Sequence, residues 1–238
     1  MDWPVNFDLS AAVDGLGCLM FPPHCLLCGE PGQDRHDLCR PCAATLPWNR
    51  EACGRCAMPL PAAADACGAC LRSPPPMATS RAAFVYGFPL DRLLPRVKFH
   101  DGLAAGRLVS ALMVDAFIGA PRPDALVPVP LHRARLRRRG YDQALELARP
   151  LAHALGLPLR DDLLRRRRPT APQSRLDAIA RRRNLKAAFE VRASAGLPEH
   201  VVLFDDVMTT GATLHEAAKA LRRAGVRRVD AWVCARVP

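Results

Sequence analysis

The stretch His200 to Leu214, HVVLFDDVMTTGATL, constrains the fold of this chain more than any other. Val201, Val202, Leu203 and Phe204 form an unbroken apolar run, the pattern of a parallel strand covered on both faces. Asp205 and Asp206 follow where that strand is expected to end, and a helix pattern begins at about Leu214. Between them lie Thr209, Thr210, Gly211, Ala212 and Thr213. In an open α/β sheet, ligands collect beyond the carboxyl ends of the strands. The start of the next helix offers free N–H groups and a positive dipole end, which suits a phosphate. Threonine hydroxyls add donors, and Gly211 allows close backbone approach. Two carboxylates can accept hydrogen bonds from the two hydroxyls of a ribose. One short loop thus has partners for a sugar diol and for its 5′-phosphate. The stretch lacks the GxxxxGK[ST] pattern of a P-loop and the GxGxxG of a dinucleotide fold.

A second kind of sequence precedes the first clear strand. Cysteines pair as Cys25/Cys28, Cys39/Cys42, Cys53/Cys56 and Cys67/Cys70, each a CxxC, the pairs recurring every 14 residues. Eight thiolates suffice for two tetrahedral zinc sites of four cysteines each. Residues 21 to 75 hold few large apolar side chains, so metal ligation has to supply most of their folding free energy. Equal spacing permits consecutive and crossed pairings alike. Consecutive pairing needs the fewest chain crossings, which favours Cys25, Cys28, Cys39 and Cys42 on one ion and the other four on the second. His24 and His36 are spare ligands, Cys18 is left over, and Cys234 lies in a strand-like run, DAWVCARV.

The ten cysteines come without a visible secretory signal, which points to a reducing, cytoplasmic setting rather than to disulfides. No apolar run is long enough to span a membrane. The net charge is +11, from 34 basic and 23 acidic residues, and favours anionic partners.

Taken in order, residues 1 to 20 read as an amphipathic helix with Phe7, Leu9, Val13, Leu16 and Leu19 on one face. Pro74, Pro75 and Pro76 mark a boundary, dividing the chain into 1–20, 21–75 and 76–238. Arg81 to Phe88 reads as a strand, Leu90 to Phe99 and Leu103 to Ile118 as helices, and Ala125 to Pro130 as a second parallel strand. Leu131 to Arg139 then carries five arginines in seven residues, read as a loop at the sheet edge that bears the aspartate pair. Backbone amides and guanidinium groups there suit a pyrophosphate. A helix from Gln143 to Leu155, basic clusters at Arg165–Arg168 and Arg181–Arg183, and a short strand at Ala187–Val191 follow. Gly225 stops the helix after Leu214, and Val226 to Val237 closes the sheet.

Several separated motifs together resemble the ComF family. They are FPPHCLLCG at the start, the CxxC series, KFHDGL at 98–103, VPVPLHRARLRRRGYDQA at 127–144, PTAPQ at 169–173, RRRNLKAAF at 181–189 and VLFDDVMTTGAT at 202–213. The resemblance implies a double zinc ribbon with two structural zinc ions, followed by a type I phosphoribosyltransferase-like domain. That domain is an open, mostly parallel sheet flanked by helices. The implied ligand is phosphoribosyl pyrophosphate with Mg, or a nucleotide, and the implied reaction is phosphoribosyl transfer to a nitrogen acceptor. By position, Asp205 and Asp206 meet the ribose as the catalytic pair, and Thr209, Thr210, Gly211, Ala212 and Thr213 enclose the 5′-phosphate. Leu131, His132 and Arg133 form the pyrophosphate loop, with Lys98 reaching the diphosphate from the hood. Tyr141, Asp142 and Gln143 stand where many relatives have phenylalanine, asparagine and glutamine. Thr209 stands where purine-salvage relatives carry a carboxylate that acts on the base. Residues 1 to 75 leave no room for a glutaminase. The family's link to natural competence implies an alternative, a nucleotide- or single-stranded-DNA-binding factor working with DNA-uptake proteins.

Overall fold

The computed structural model describes residues 22–33, 36–97, 102–167, 188–192 and 196–238. The expected helix over 1–20, Cys18, Lys98, the PTAPQ stretch and Arg181–Arg183 lie outside the described residues. The chain divides into two compact units, Met1–Leu46 and Pro47–Pro238. The division falls inside the cysteine series, so the first four cysteines belong to the small unit and the second four to the large one.

In the small unit the first CxxC closes as a tight knuckle. Cys25 N–H donates to Glu30 O at 2.7 Å, and Gly29 N–H donates back to Cys25 O at 2.8 Å. Gly29 takes φ 82°, a left-handed conformation that glycine adopts without a side-chain clash. Helix α1 (Arg40–Ala44) begins directly after Cys39 with proline in its first turn, and it buries none of its residues. Among the described residues, the buried apolar set here is Cys25, Leu38, Cys39 and Leu46. That set is too small to hold the segment without a metal.

The large unit repeats the motif before the sheet begins. Cys53 N–H donates to Met58 O at 2.9 Å, Ala57 N–H donates to Cys53 O at 2.8 Å, and helix α2 (Gly68–Arg72) follows Cys67. This second knuckle is bonded into the sheet. Ser80 N–H donates to Gly54 O at 2.8 Å, and Asn49 Nδ2 donates to Ala57 O at 2.9 Å. Residues 47–49 run against strand β1 (Ser80–Val85) through Val85 N–H to Pro47 O and Asn49 N–H to Ala83 O. These bonds are why Pro47 onward forms one body.

After β1 come helices α3 (Leu90–Arg96) and α4 (Leu103–Phe117), then strand β2 (Ala125–Pro128). The arginine-rich stretch folds as helix α5 (Arg133–Arg139), not as the expected loop, and Gly140 ends it with φ 84°. Helix α6 (Gln143–Ala154) follows. Strands β3 (Leu164–Arg166) and β4 (Phe189–Val191) pair antiparallel. Strand β5 (His200–Met208), helix α7 (Ala212–Ala224) and strand β6 (Arg228–Arg236) complete the unit.

The main sheet is parallel throughout, in the order β1-β6-β5-β2. Its two central strands, β5 and β6, are covered on both faces, which explains their continuous apolar runs. One face packs α7 and the β3–β4 pair around Val201, Leu203, Val229, Ala231, Leu214 and Leu221. The other face meets α4 and α6, where Phe117 stacks on Trp232 at 4.7 Å. At the amino ends of the strands, buried Asp230 accepts from Thr79 N–H at 2.9 Å, Arg228 Nε at 3.0 Å and His200 Nε2 at 2.7 Å. This polar cluster lies at the opposite end of the sheet from the aspartate pair.

Candidate functional site

Strand β2 pairs with β5 only as far as Pro128 and Phe204. Beyond that point β5 continues against β6 alone, and Asp205 and Asp206 occupy the released edge. The carboxyl end of the sheet therefore opens into a cleft of about 190 Å³. Its walls carry Asp205 and Asp206, the loop Thr209 to Thr213, Leu131, and the side chains of Arg135, Arg139, Asp142, Gln143 and Arg166.

Gly211 turns the chain from strand to helix with φ 71°, and Ala212 starts α7 two residues earlier than the apolar pattern suggests. A side chain at Gly211 would be strained by that φ and would approach the His215 ring to 3.0 Å. Thr209 and Thr210 are exposed, and Thr210 Oγ1 accepts from Ala212 N–H at 3.4 Å. The amino end of this 13-residue helix faces the cleft, as an anion site requires.

Asp205 Oδ1 accepts from Asp206 N–H at 2.9 Å, and Asp206 Oδ1 accepts from Val207 N–H at 2.8 Å. Burial, reinforced by the adjacent Asp206 charge, holds the Asp205 carboxyl well above the usual carboxylate range. Asp142 is also raised, by burial first, although the Leu131 and Ala144 amides pull the other way. Its Oδ2 accepts from Leu131 N–H at 2.7 Å and its Oδ1 accepts from Ala144 N–H at 3.2 Å. The Leu131 amide expected to meet a pyrophosphate is thus engaged by Asp142.

The positive side of the cleft comes from two places. Arg135 and Arg139 project from α5, and Arg166 arrives from β3. Arg166 is 5% exposed, lies 5.5 Å over the Phe189 ring, and is pushed down to about 10 by burial and by Arg135, against the pull of Asp205 and Asp142. Gln143 is 4% exposed and, among the described residues, its Nε2 has no hydrogen-bond partner. A buried donor without a partner is costly, and this one lines the cleft.

Of the residues expected from sequence, Asp205, Asp206, Thr209 to Thr213 and Leu131 line this one cleft. His132 and Arg133 are not among its lining residues. His132 instead caps α5, its Nδ1 accepting from Ala134 N–H at 3.2 Å. From sequence Arg166 reads only as part of the basic cluster Arg165–Arg168 and Gln143 only as part of the GYDQ stretch that leads into a helix, because a buried arginine and a buried glutamine run against the usual hydropathy pattern. The spacing RGYDQ was the available signal for Gln143.

The eight cysteines form two tetrads, Cys25/Cys28/Cys39/Cys42 and Cys53/Cys56/Cys67/Cys70, whose sulfurs all lie within 4.8 Å of one another. Consecutive pairing is therefore the arrangement adopted. Cys28 Sγ lies 3.6 Å from Cys39 Sγ, and Cys56 Sγ lies 3.8 Å from Cys67 Sγ. Four sulfurs at about 2.3 Å from a common centre stand about 3.8 Å apart, so both tetrads fit structural zinc. Burial opposes ionisation of Cys25, yet the Cys39, Cys28 and Leu27 amides outweigh it and bring the thiol down to about 6. The Cys70 amide does the same for Cys67, bringing it to about 7.

Comparison with known proteins agrees with this architecture. A double zinc ribbon domain matches residues 17–71, and a phosphoribosyl transferase domain matches residues 142–238. DNA utilization protein YhgH of Salmonella typhi is 37% identical over 226 residues, covering 92% of this chain and 99% of that protein. Competence protein F of Haemophilus influenzae is 39% identical over 156 residues, covering 62% of this chain and 68% of that protein. The chain belongs to the ComF family. A more distant ComF relative, competence protein ComFC of Bacillus subtilis, is 27% identical, covering 84% of this chain and 72% of that protein. Among solved structures, orotate phosphoribosyltransferase from Aeropyrum pernix matches at 23% identity and a TM-score of 0.32, covering 61% of this chain and 63% of that one. Among the described residues, no helix is long and apolar enough to cross a membrane.

Proposed function

We propose that this protein binds phosphoribosyl pyrophosphate with Mg and transfers the phosphoribosyl group to a nitrogen acceptor. The observation that carries the reading is the meeting of Asp205, Asp206 and the 209–213 loop with Arg135, Arg139 and Arg166 in one cleft. A sugar bearing a phosphate at one end and a diphosphate at the other needs that order of partners.

The roles follow from the chemistry of each group. The Thr209 to Thr213 loop and the start of α7 hold the 5′-phosphate through N–H and hydroxyl donors. Asp205 and Asp206 accept from the ribose hydroxyls. The arginines and Gln143 Nε2 receive the diphosphate as the C1–O bond breaks and the C1–N bond forms. The C1–O bonding pair departs with the diphosphate and the sugar turns cation-like, so preorganised guanidinium groups that meet the growing negative charge favour the transition state over the ground state. The carboxylates and diphosphate oxygens are hard oxygen donors of the kind Mg takes, and Asp205 and Asp206 are the residues that would hold it. When bound, Mg neutralises charge on the leaving diphosphate. Binding of phosphoribosyl pyrophosphate with Mg, abolished by Asp205→Asn together with Asp206→Asn, tests the reading.

A DNA-associated role is favoured by separate observations. Relatives carry the names competence protein and DNA utilization protein, and the net charge is +11. Arg55, Lys219, Arg222 and Arg223 also line one shallow basic depression beside Pro75 and Pro76. Single-stranded DNA held there through its phosphates would lose affinity steeply with salt, and a flat salt response would exclude that mode.

A further inference from the structure

The second cysteine tetrad and the phosphate loop meet at one side chain. Arg236, the last residue of β6, is 6% exposed and stands opposite Met208 in the β5–β6 register. Its Nε donates to the Cys56 carbonyl at 3.1 Å. Its Nη1 donates to the Met208 carbonyl at 3.2 Å and also to the Val237 carbonyl. Cys56 belongs to the second tetrad, and Met208 directly precedes Thr209 of the loop. Val237 N–H donates to the same Met208 carbonyl at 2.9 Å, which fixes the point where strand gives way to loop.

Charge leads to the same pairing. A buried guanidinium needs a counter-charge, and among the described residues Arg236 has no carboxylate partner. Four thiolates around a divalent ion leave a net negative charge. The second tetrad, whose Cys56 carbonyl Arg236 bonds, brings that charge close to it when metal-loaded.

We infer that Arg236 is a positioning residue that couples metal occupancy of the Cys53/Cys56/Cys67/Cys70 tetrad to the geometry of the 209–213 loop. The second ribbon is then the metal-dependent foundation of the ligand site. The first tetrad belongs to the small unit and serves as the control. The functional consequence rests on reading the loop as the phosphate site, but the coupling is tested without any ligand.

The test is amide hydrogen exchange of the full-length zinc-loaded chain, with metal content measured alongside. Arg236→Lys keeps the charge and loses the planar fork that spans both carbonyls. It is expected to retain two zinc ions per chain while exchange at 208–213 rises about tenfold, with strand 201–204 unchanged. Cys56→Ser is expected to lose one zinc and show the same loop exchange, whereas Cys28→Ser loses one zinc and leaves the loop protected. If Cys56→Ser fails to fold, Arg236→Lys against Cys28→Ser still decides. Loop exchange in Arg236→Lys equal to wild type, or exchange raised evenly across the whole unit, would overturn the coupling. Failure of the wild-type chain to bind phosphoribosyl pyrophosphate would sink the ligand reading alone.

Discussion

Asp142 Oδ2 accepts the Leu131 amide at 2.7 Å, tying the end of β2 to the start of α6 across the whole of α5. The same carboxylate caps α6 through Ala144 N–H. One side chain thereby sets the position of the helix that carries Arg135 and Arg139 toward the cleft.

Asp142→Ala is expected to lose both bonds and to lower stability by about 1–2 kcal/mol, the usual cost of a lost helix cap. A melting curve reads the stability. A titration with inorganic pyrophosphate reads whether the arginines have shifted, and weaker binding is expected.

Asp205 carries the clearest trade of stability against function. Its folded-state value lies above the unfolded one, so the folded chain binds more protons between the two. Stability attributable to this group is full below its unfolded value near 4 and falls as pH rises through the folded value. Asp205→Asn is therefore expected to raise the melting temperature at pH 7, by about 2–4 °C per kcal/mol, with a smaller gain at pH 4. In the proposed reading, binding of a Mg-loaded sugar diphosphate requires the carboxylate, so wild-type affinity is expected to rise with pH over the same interval. A melting temperature that drops equally at both pH values would contradict the buried-carboxylate account.

Gln143→Met replaces an unpartnered buried donor with an apolar side chain of similar length. Stability is expected to stay level or rise, since the buried Nε2 donor makes no bond among the described residues. Pyrophosphate affinity is expected to fall about tenfold, or roughly 1.4 kcal/mol. Calorimetry on the two proteins measures both quantities.

Asp230→Ala removes the acceptor shared by Thr79, His200 and Arg228 at the far end of the sheet. Arg228 keeps 42% of its side chain exposed, so the loss is mainly that of hydrogen bonds left unmade, about 1–3 kcal/mol. Thermal or urea unfolding should show that loss, while pyrophosphate affinity measured below the melting range stays at the wild-type value.

Much of this was legible in the chain itself. The apolar run of β5, the acidic pair and the small-residue turn predict strand, cleft edge and helix start, and the parallel sheet follows from them. The cysteine spacing predicts eight ligands but not their grouping, which the tetrads settle. The arginine run misled, because five arginines in seven residues read as a loop although arginine is a good helix former. The β3–β4 pair was half hidden, since Arg165 and Arg166 look like surface while Arg166 is buried against Phe189. The bonds from Asn49, Ser80 and Arg236 that join the second knuckle to the sheet are long-range and leave no local pattern.

The most direct test of the central claim is calorimetric titration of the zinc-replete protein with phosphoribosyl pyrophosphate and Mg. The account predicts saturable binding at one site per chain in the wild type and none in the Asp205→Asn, Asp206→Asn double variant. No binding by the wild type, or equal binding by the double variant, would contradict it.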